Sequence, residues 1–443
     1  MKIPAIPPDF WSRLASLSSE KLISLMDEAA SPVPGGEYHH WDTLRHKQPP
    51  EGLTHEEWWA AVKMARVQMR KNLPLVATDG QPFGFTMPDP VLEMIQKIDS
   101  QASGQIQISE EVTNPATRDR YVVDSLIEEA ITSSQLEGAS TTGRVAREMI
   151  RAQRRPRDRD ERMILNNYRG MEEVRKLRGK LLTPQRILQL QEVLTRGTLG
   201  DPGGAGRLRT KDDDIKVWDT RDGKVLHVPP PAGTLPERLD ALCEFANQRS
   251  PDYFVHPAIR AAILHFWVGY DHPFVDGNGR TARALFYWSM HEQGYWLCEF
   301  LSISSILRKA PSKYARAYLY SETDQNDVTY FIIYQLRVLL RAISALHGYL
   351  KTRMSQLRET EACLRESEEM NHRQIGLLSH ALRHPGARYS IRSHQNSHGV
   401  SYMTARSDLL SLAERNFLLR KKVGKRHVFI APEQLAEKLQ AGG

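Results

Sequence analysis

Apolar residues recur at three- and four-residue spacing through the middle of the chain. Val122, Val123, Leu126, Ile127, Ala130 and Ile131 trace one helical stripe, and the period persists to about Leu350. Asp160 to Arg178 and Thr183 to Arg196 read as two further helices, the second with Thr183 as N-cap and Pro184 at its first position. Arg209 to Val228 breaks the period. Its β-branched residues and the Arg221-Asp222-Gly223-Lys224 turn predict a hairpin, closed by Pro229-Pro230-Pro231 before helices resume at Pro236. Residues 1 to about 115 instead mix short helical patterns with turns such as Asp79-Gly80-Gln81-Pro82, and Trp11, Trp41, Trp58 and Trp59 there read as packing residues. The expected fold class is mainly α: an N-terminal helical region (1–115) and a helical core (116–350) that carries the hairpin.

After Leu350 the pattern changes twice. Residues 351–371 form a charged run with few apolar positions, read as a solvated helical connector. Residues 372–443 then give a helix, a helix-turn-helix around Gly399, and two short strands within Phe417 to Ile430 joined by Gly424-Lys425-Arg426. That order predicts a winged helix-turn-helix domain.

At 443 residues, with roughly 150 per domain, two or three units are expected. The net charge of +7 suggests a nucleic-acid partner until it is located. Residues 371–430 hold eleven Lys/Arg against only Asp408 and Glu414, so the remainder of the chain is slightly acidic. The basic module would meet DNA or an acidic protein, with Ser401 capping a recognition helix and Lys421, Lys422, Lys425 and Arg426 in the wing. Cys243, Cys298 and Cys363 lie far apart, which fits a reducing compartment and argues against a disulfide framework or a thiolate metal site. The first residues lack an apolar signal core, and the most apolar stretch, Tyr330 to Leu350, is interrupted by Arg337 and Arg341. A cytoplasmic protein with no membrane partner is expected.

The chemistry concentrates in His272-Pro273-Phe274-Val275-Asp276-Gly277-Asn278-Gly279-Arg280-Thr281-Ala282-Arg283. Gly277 and Gly279 flank Asn278, so the backbone turns sharply and admits a ligand closely. The following residues read as a helix, whose N-terminal amides from Gly277 to Arg280 form an anion site. Arg280 and Arg283 share a face of its first turn, where the helix dipole disfavours cations by about 0.3–1 kcal/mol each. A polyanion between them resolves that conflict. His272 is a candidate base near neutral pH, and Asp276 a hard oxygen ligand suited to Mg2+. Taken alone, a Gly-Asn-Gly turn or a His before Pro is usually structural.

With every fixed position filled, the segment resembles the Fic-domain signature His-x-Phe-x-(Asp/Glu)-Gly-Asn-Gly-Arg-x-x-Arg. The resemblance extends over roughly Tyr121 to Leu340 and implies an all-helical core with a β-hairpin flap (209–228). Such proteins mostly transfer AMP from ATP to Ser, Thr or Tyr hydroxyls of a target protein. On that basis His272 would be the general base and Asp276 would hold magnesium. Gly277, Asn278 and Gly279 would cradle the α- and β-phosphates, and Arg280 and Arg283 the outer ones. The flap would pin the target by strand addition. Tyr314, Tyr318 and Asn326 would line an adenine pocket, with packing an equal alternative for the tyrosines.

Ser133 and Glu137 share a helix face, and Gly138 is a natural helix stop. Residues alone leave Glu137 solvated or paired with an unidentified cation. The segment 133–138 resembles the inhibitory (Ser/Thr)-x-x-x-Glu-(Gly/Asn) motif of Fic proteins, which implies that Glu137 pairs with Arg283 and holds ATP unreactive. Three functions stay open: an adenylyltransferase, with self-modification and a homodimer as further expectations; an AMP-removing or bifunctional enzyme; and a nucleotide-sensing, DNA-binding regulator. The intact His272 favours the first.

Overall fold

The computed structural model describes residues 2–441 apart from 19–20, 22–24, 26–30, 103–114, 220–221, 367–368, 385, 424–425 and 433. The chain divides into two compact units, Met1–Ile106 with Asp124–Ile343, and Gln107–Val123 with Ser344–Gly443. Helices dominate, with three small antiparallel sheets among the described residues.

At the centre of the first unit are the helices Pro257–Asp271 and Asn278–Glu292. Both are buried around most of their circumference, the first through mainly apolar residues, the second with Asn278, Arg280 and Arg283 buried among its apolar ones. Arg159–Lys176 and Pro184–Thr195 pack beside them. Asp158 caps the first by accepting from the Glu161 N–H, and Thr183 caps the second by accepting from that of Arg186, with Pro184 where predicted.

A hairpin of β1 (Lys71–Val76) and β2 (Pro82–Phe85) forms around the Asp79–Pro82 turn, where the sequence showed only the turn. Phe83 anchors it edge-on against Phe266 and Tyr270, at centroid distances of 5.2 and 4.8 Å. Trp58 and Trp59 are buried as expected, but Trp11 is exposed.

The paired part of the predicted 209–228 hairpin is short: β3 (Val217–Trp218) and β4 (Val225–His227). Gly223 takes a left-handed φ of 66° in the connection, and Arg221 of the predicted turn lies outside the described residues. The preceding residues are not strand, because Arg207 and Thr210 fold a 3-10 turn onto Asp213.

A single helix runs Thr329–Glu366. By length and composition its segment Thr329–Thr352 could cross a membrane, so Arg337 and Arg341 do not exclude a span as the sequence reading held. Sixty-one per cent of that window is buried inside the molecule, which is how a core helix uses apolar residues.

In the second unit, helices His372–Arg383, Ile391–His398 and Tyr402–Glu414 pack with a sheet of order β5–β7–β6, comprising Arg388–Tyr389, Arg426–Ile430 and Leu419–Val423. Leu378, Leu409, Leu412 and Phe429 fill the core. Gly399 (φ 61°) turns the chain between the second and third helices, and Ser401 caps the third through the Thr404 N–H. Gly424 and Lys425 of the predicted wing lie outside the described residues.

Candidate active site

Pro273 prevents continuation of the helix Pro257–Asp271, and His272 closes it in a left-handed conformation (φ 44°, ψ 55°). That geometry costs a non-glycine residue of order 1–3 kcal/mol, so surrounding bonds must hold it. The His272 N–H donates to the Val268 carbonyl at 3.0 Å, and Nδ1 meets the Gly269 carbonyl at 3.2 Å. A carbonyl can only accept, so Nδ1 carries the proton and Nε2 keeps its lone pair. Burial pushes the imidazole pKa down to about 4, against the opposing pull of the Gly269 bond. The ring is therefore neutral at pH 7 and able to take a proton.

The loop 273–277 is fastened by Asn278. Its Oδ1 accepts from the Phe274 N–H at 2.9 Å and its Nδ2 donates to the Phe274 carbonyl at 2.8 Å. Asn278 therefore offers a phosphate only its backbone N–H, and its side chain shapes the loop. Gly277 (φ 83°) has its own N–H bonded to Asp276 Oδ1 at 2.5 Å, which removes it from the predicted cradle. The N–H groups of Asn278, Gly279 and Arg280 remain. They precede the first intrahelical donor, Thr281, and the helix has no side-chain cap and no acid in its first turn.

The two arginines separate. Arg280 is fully buried, donates to the Leu194 carbonyl at 2.7 Å and lies 3.3 Å from Asp276 Oδ1. It braces the loop and does not line the cavity, while its Nε and Nη2 are buried without a hydrogen-bond partner among the described residues. Arg283 does line the cavity. Its Nε donates to Ser133 Oγ at 2.8 Å, and its Nη2 to the Ser133 carbonyl at 3.1 Å and to Glu137 Oε1 at 2.7 Å.

Glu137 follows the helix Pro115–Leu136, which stops at left-handed Gly138 (φ 94°) with the Ala139 N–H on the Ser134 carbonyl at 3.0 Å. Two turns earlier Glu129 is buried and accepts from Tyr287, Ser302 and both the N–H and hydroxyl of Ser304. Glu129, Ser133 and Glu137 thus form one rail at four-residue spacing. Desolvation opposes ionisation of Glu137, but Arg283 outweighs it and holds the carboxyl below its usual range. Gly279 makes room: a β-carbon there would collide with the Glu137 carboxylate.

Glu137, His272, Gly279, Arg283, Tyr314 and Tyr318 line one cavity of about 200 Å3. The tyrosine hydroxyls turn inward, Tyr314 to His265 Nε2 at 2.7 Å and Tyr318 to the His265 carbonyl at 3.2 Å, and their rings stack on Tyr334 and Phe266 respectively. Asn326 is not part of the lining; its carbonyl accepts from the Gly84 N–H of β2 at 3.0 Å. Sequence reasoning missed two residues here. His227 lines the cavity and Arg209 lies against the end of the His272 helix. A histidine closing a strand and an arginine among many carried no local signal.

Asp276, expected to hold the cation, does not itself line that cavity, whose own carboxylates are Glu137 and Glu322. Asp276 Oδ1 accepts from the Gly277 N–H and lies 3.3 Å from Arg280, while Oδ2 lies 4.0 Å from Arg159. Among the described residues no three His, Cys, Asp or Glu side chains cluster as a metal cage. One carboxylate completed by substrate phosphates is the usual manner of holding magnesium, so the site fits that ion.

Residues 181–290 match the model of the Fic/DOC family, a segment that contains His272 to Arg283 and excludes Glu137. A protein adenylyltransferase Fic of Nematostella vectensis is 32% identical over 125 residues, 27% of this chain and 27% of that protein. One of Drosophila virilis is 38% identical over 86 residues, 19% of this chain and 18% of that protein. The chain thus matches about a quarter or less of the length of these curated relatives. Among solved structures, a Fic family protein from Desulfovibrio desulfuricans G20 aligns with TM-score 0.53 at 19% identity, over 78% of this chain and 97% of that one. That likeness shows a shared, mainly α fold.

Proposed function

We propose that the chain is a protein adenylyltransferase, moving AMP from ATP to a Ser, Thr or Tyr hydroxyl and held off by Glu137. The observation that carries this reading is one cavity in which a neutral imidazole with a free Nε2 faces an uncapped helix N-terminus and Arg283. In the reaction the target oxygen would bond to the α-phosphorus as the bond to the β-phosphate oxygen breaks and pyrophosphate leaves. The hydroxyl proton would pass to His272 Nε2. The amides of Asn278, Gly279 and Arg280, with Arg283, would bind the phosphates, and Arg280 would keep their loop in place. Magnesium, held by Asp276 and the phosphates, would neutralise charge on the leaving group. The exposed edge of β3–β4 would pin the target segment by strand addition.

Glu137 occupies the guanidinium that the outer phosphate needs, so ATP would bind in an unreactive pose. Incubation with labelled ATP and magnesium tests this. Glu137→Gly should label itself or a target well above wild type, and Glu137→Gly with His272→Ala should not. Equal labelling by wild type and Glu137→Gly would reject the brake.

We further infer that residues 372–443 form a winged helix-turn-helix that contacts duplex DNA, on the strength of exposed Arg392, Tyr402, Arg406, Lys421 and Lys422. Salt-dependent duplex binding by the full chain, weakened by Arg406→Ala, is the expected result. Salt-independent or absent binding removes the DNA partner.

A further inference from the structure

The C-terminus of the helix Pro257–Asp271 presents a row of backbone carbonyls that no later turn can satisfy. Those of Val268 and Gly269 accept from His272 itself. The next four are all met by two residues, Arg209 ahead of the hairpin and His227 at the end of β4. His227 Nε2 bonds the Tyr270 carbonyl at 2.7 Å. Arg209 Nη2 bonds that of Asp271 at 3.2 Å, its Nε that of His272 at 2.8 Å, and its backbone N–H that of Pro273 at 2.9 Å. Arg209 Nη2 also reaches the Pro230 carbonyl at 2.5 Å, just past the hairpin.

The second nitrogen of His227, Nδ1, sits 2.7 Å from Glu322 Oε2. With a carbonyl on one side and a carboxylate on the other, both ring nitrogens are placed to donate, an arrangement that favours the imidazolium. Two cations thus cap the negative end of the helix that carries the base, and both come from the segment that forms the flap.

We propose that Arg209 and His227 are positioning residues for the transfer reaction, fixing the strained His272 peptide and joining the flap to it. This rests on the adenylyltransferase reading. Arg209 makes no bond to residues 277–283, so its loss displaces the base while leaving phosphate binding intact. A purely structural residue would lower stability and nucleotide affinity together.

The test uses the full chain with Glu137→Gly as parent, measuring kcat and ATP KM of self-adenylylation together with thermal melting. Adding Arg209→Gln should lower kcat about a hundredfold, as for a reacting group misplaced by about 1 Å. ATP KM should stay within about twofold. Arg209→Lys, which keeps the charge, should recover part of the rate.

His227 supplies a pH readout. The groups facing it are Glu322 on the helix Pro311–Thr323, Asp271 and Tyr270 on the capped helix, and His272. Burial alone would lower its pKa, but Glu322 and the Tyr270 carbonyl outweigh burial and raise it. Its charge is therefore present at low pH and lost as pH rises through that raised value. The parent's rate should fall on this alkaline side, and His227→Gln should be slower throughout and lack the fall. A parental kcat in Arg209→Gln, or kcat and ATP KM changing in step with lost melting temperature, would overturn the inference. A silent parent would overturn the transferase reading and this inference together.

Discussion

Two helix ends meet at the cavity and are finished in opposite ways. The N-terminus of Asn278–Glu292 has no side-chain cap and no acid in its first turn, which carries Arg280 with Arg283 in the next, so its open amides call for an anion. The C-terminus of Pro257–Asp271 has its exposed carbonyls met by cations, one bond at a time. One end is built incomplete and the other complete. On the proposed reading the difference would separate binding from chemistry: the unfinished end would receive the phosphates, and the finished end would hold the base still.

The largest effect should come from the finished end. In a Glu137→Gly parent, His272→Ala should reduce transfer by about 100- to 10,000-fold while ATP affinity stays near the parent value. Calorimetric ATP titration beside the rate measurement would check it, and a parallel loss of affinity would break the division between the two ends.

A smaller effect sharpens it. Because the folded pKa of His272 is depressed to about 4, the neutral base persists above that pH and is lost below it. On its acid side the pH–rate profile of the same parent should hold steady until about pH 4, then decline about tenfold per unit. A limb at the ordinary histidine value near 6.5 would mean that the burial seen here does not govern the base.

The smallest concerns the unfinished end. Gly279→Ala places a β-carbon against the Glu137 carboxylate, so in wild type it should loosen the brake, whereas in Glu137→Gly that carboxylate is gone. The two substitutions should be non-additive by about 0.5–3 kcal/mol in a double-mutant cycle on the transfer rate. Additivity would show that Gly279 and Glu137 do not compete for one volume.

The unfinished end was legible because its parts are contiguous. Twelve residues carry the glycines, the acid, the base and the arginines, and helix-dipole reasoning marked the two cations as misplaced without an anion. Even so, sequence could not separate Arg280 from Arg283. They share a face, and only the packing of Leu194 behind the loop sends one inward. The same reading gave Asn278 to a ligand, because an amide bonding its own loop and an amide awaiting a phosphate have identical patterns. The finished end was illegible for a different reason. Arg209 and His227 lie 63 and 43 residues from the carbonyls they meet, and no periodicity spans that gap. The β1–β2 hairpin was lost likewise, since its short strands take their meaning from Phe266 and Asn326 far along the chain.

On the proposed reading, the anchoring of Glu129 would set how Glu137 lets go. Four donors grip that carboxylate two turns above the brake, so the rail behaves as a rod clamped at its base and cannot slide away from Arg283 as a body. Residues 134–138, which end at the left-handed glycine, would be the part to give way. Opening is then a matter of fraying one helical turn, among the least costly motions available to a folded chain. Release of the proposed brake would be recorded in the amide hydrogen exchange of Glu137, Gly138 and Ala139, whose N–H groups close that last turn.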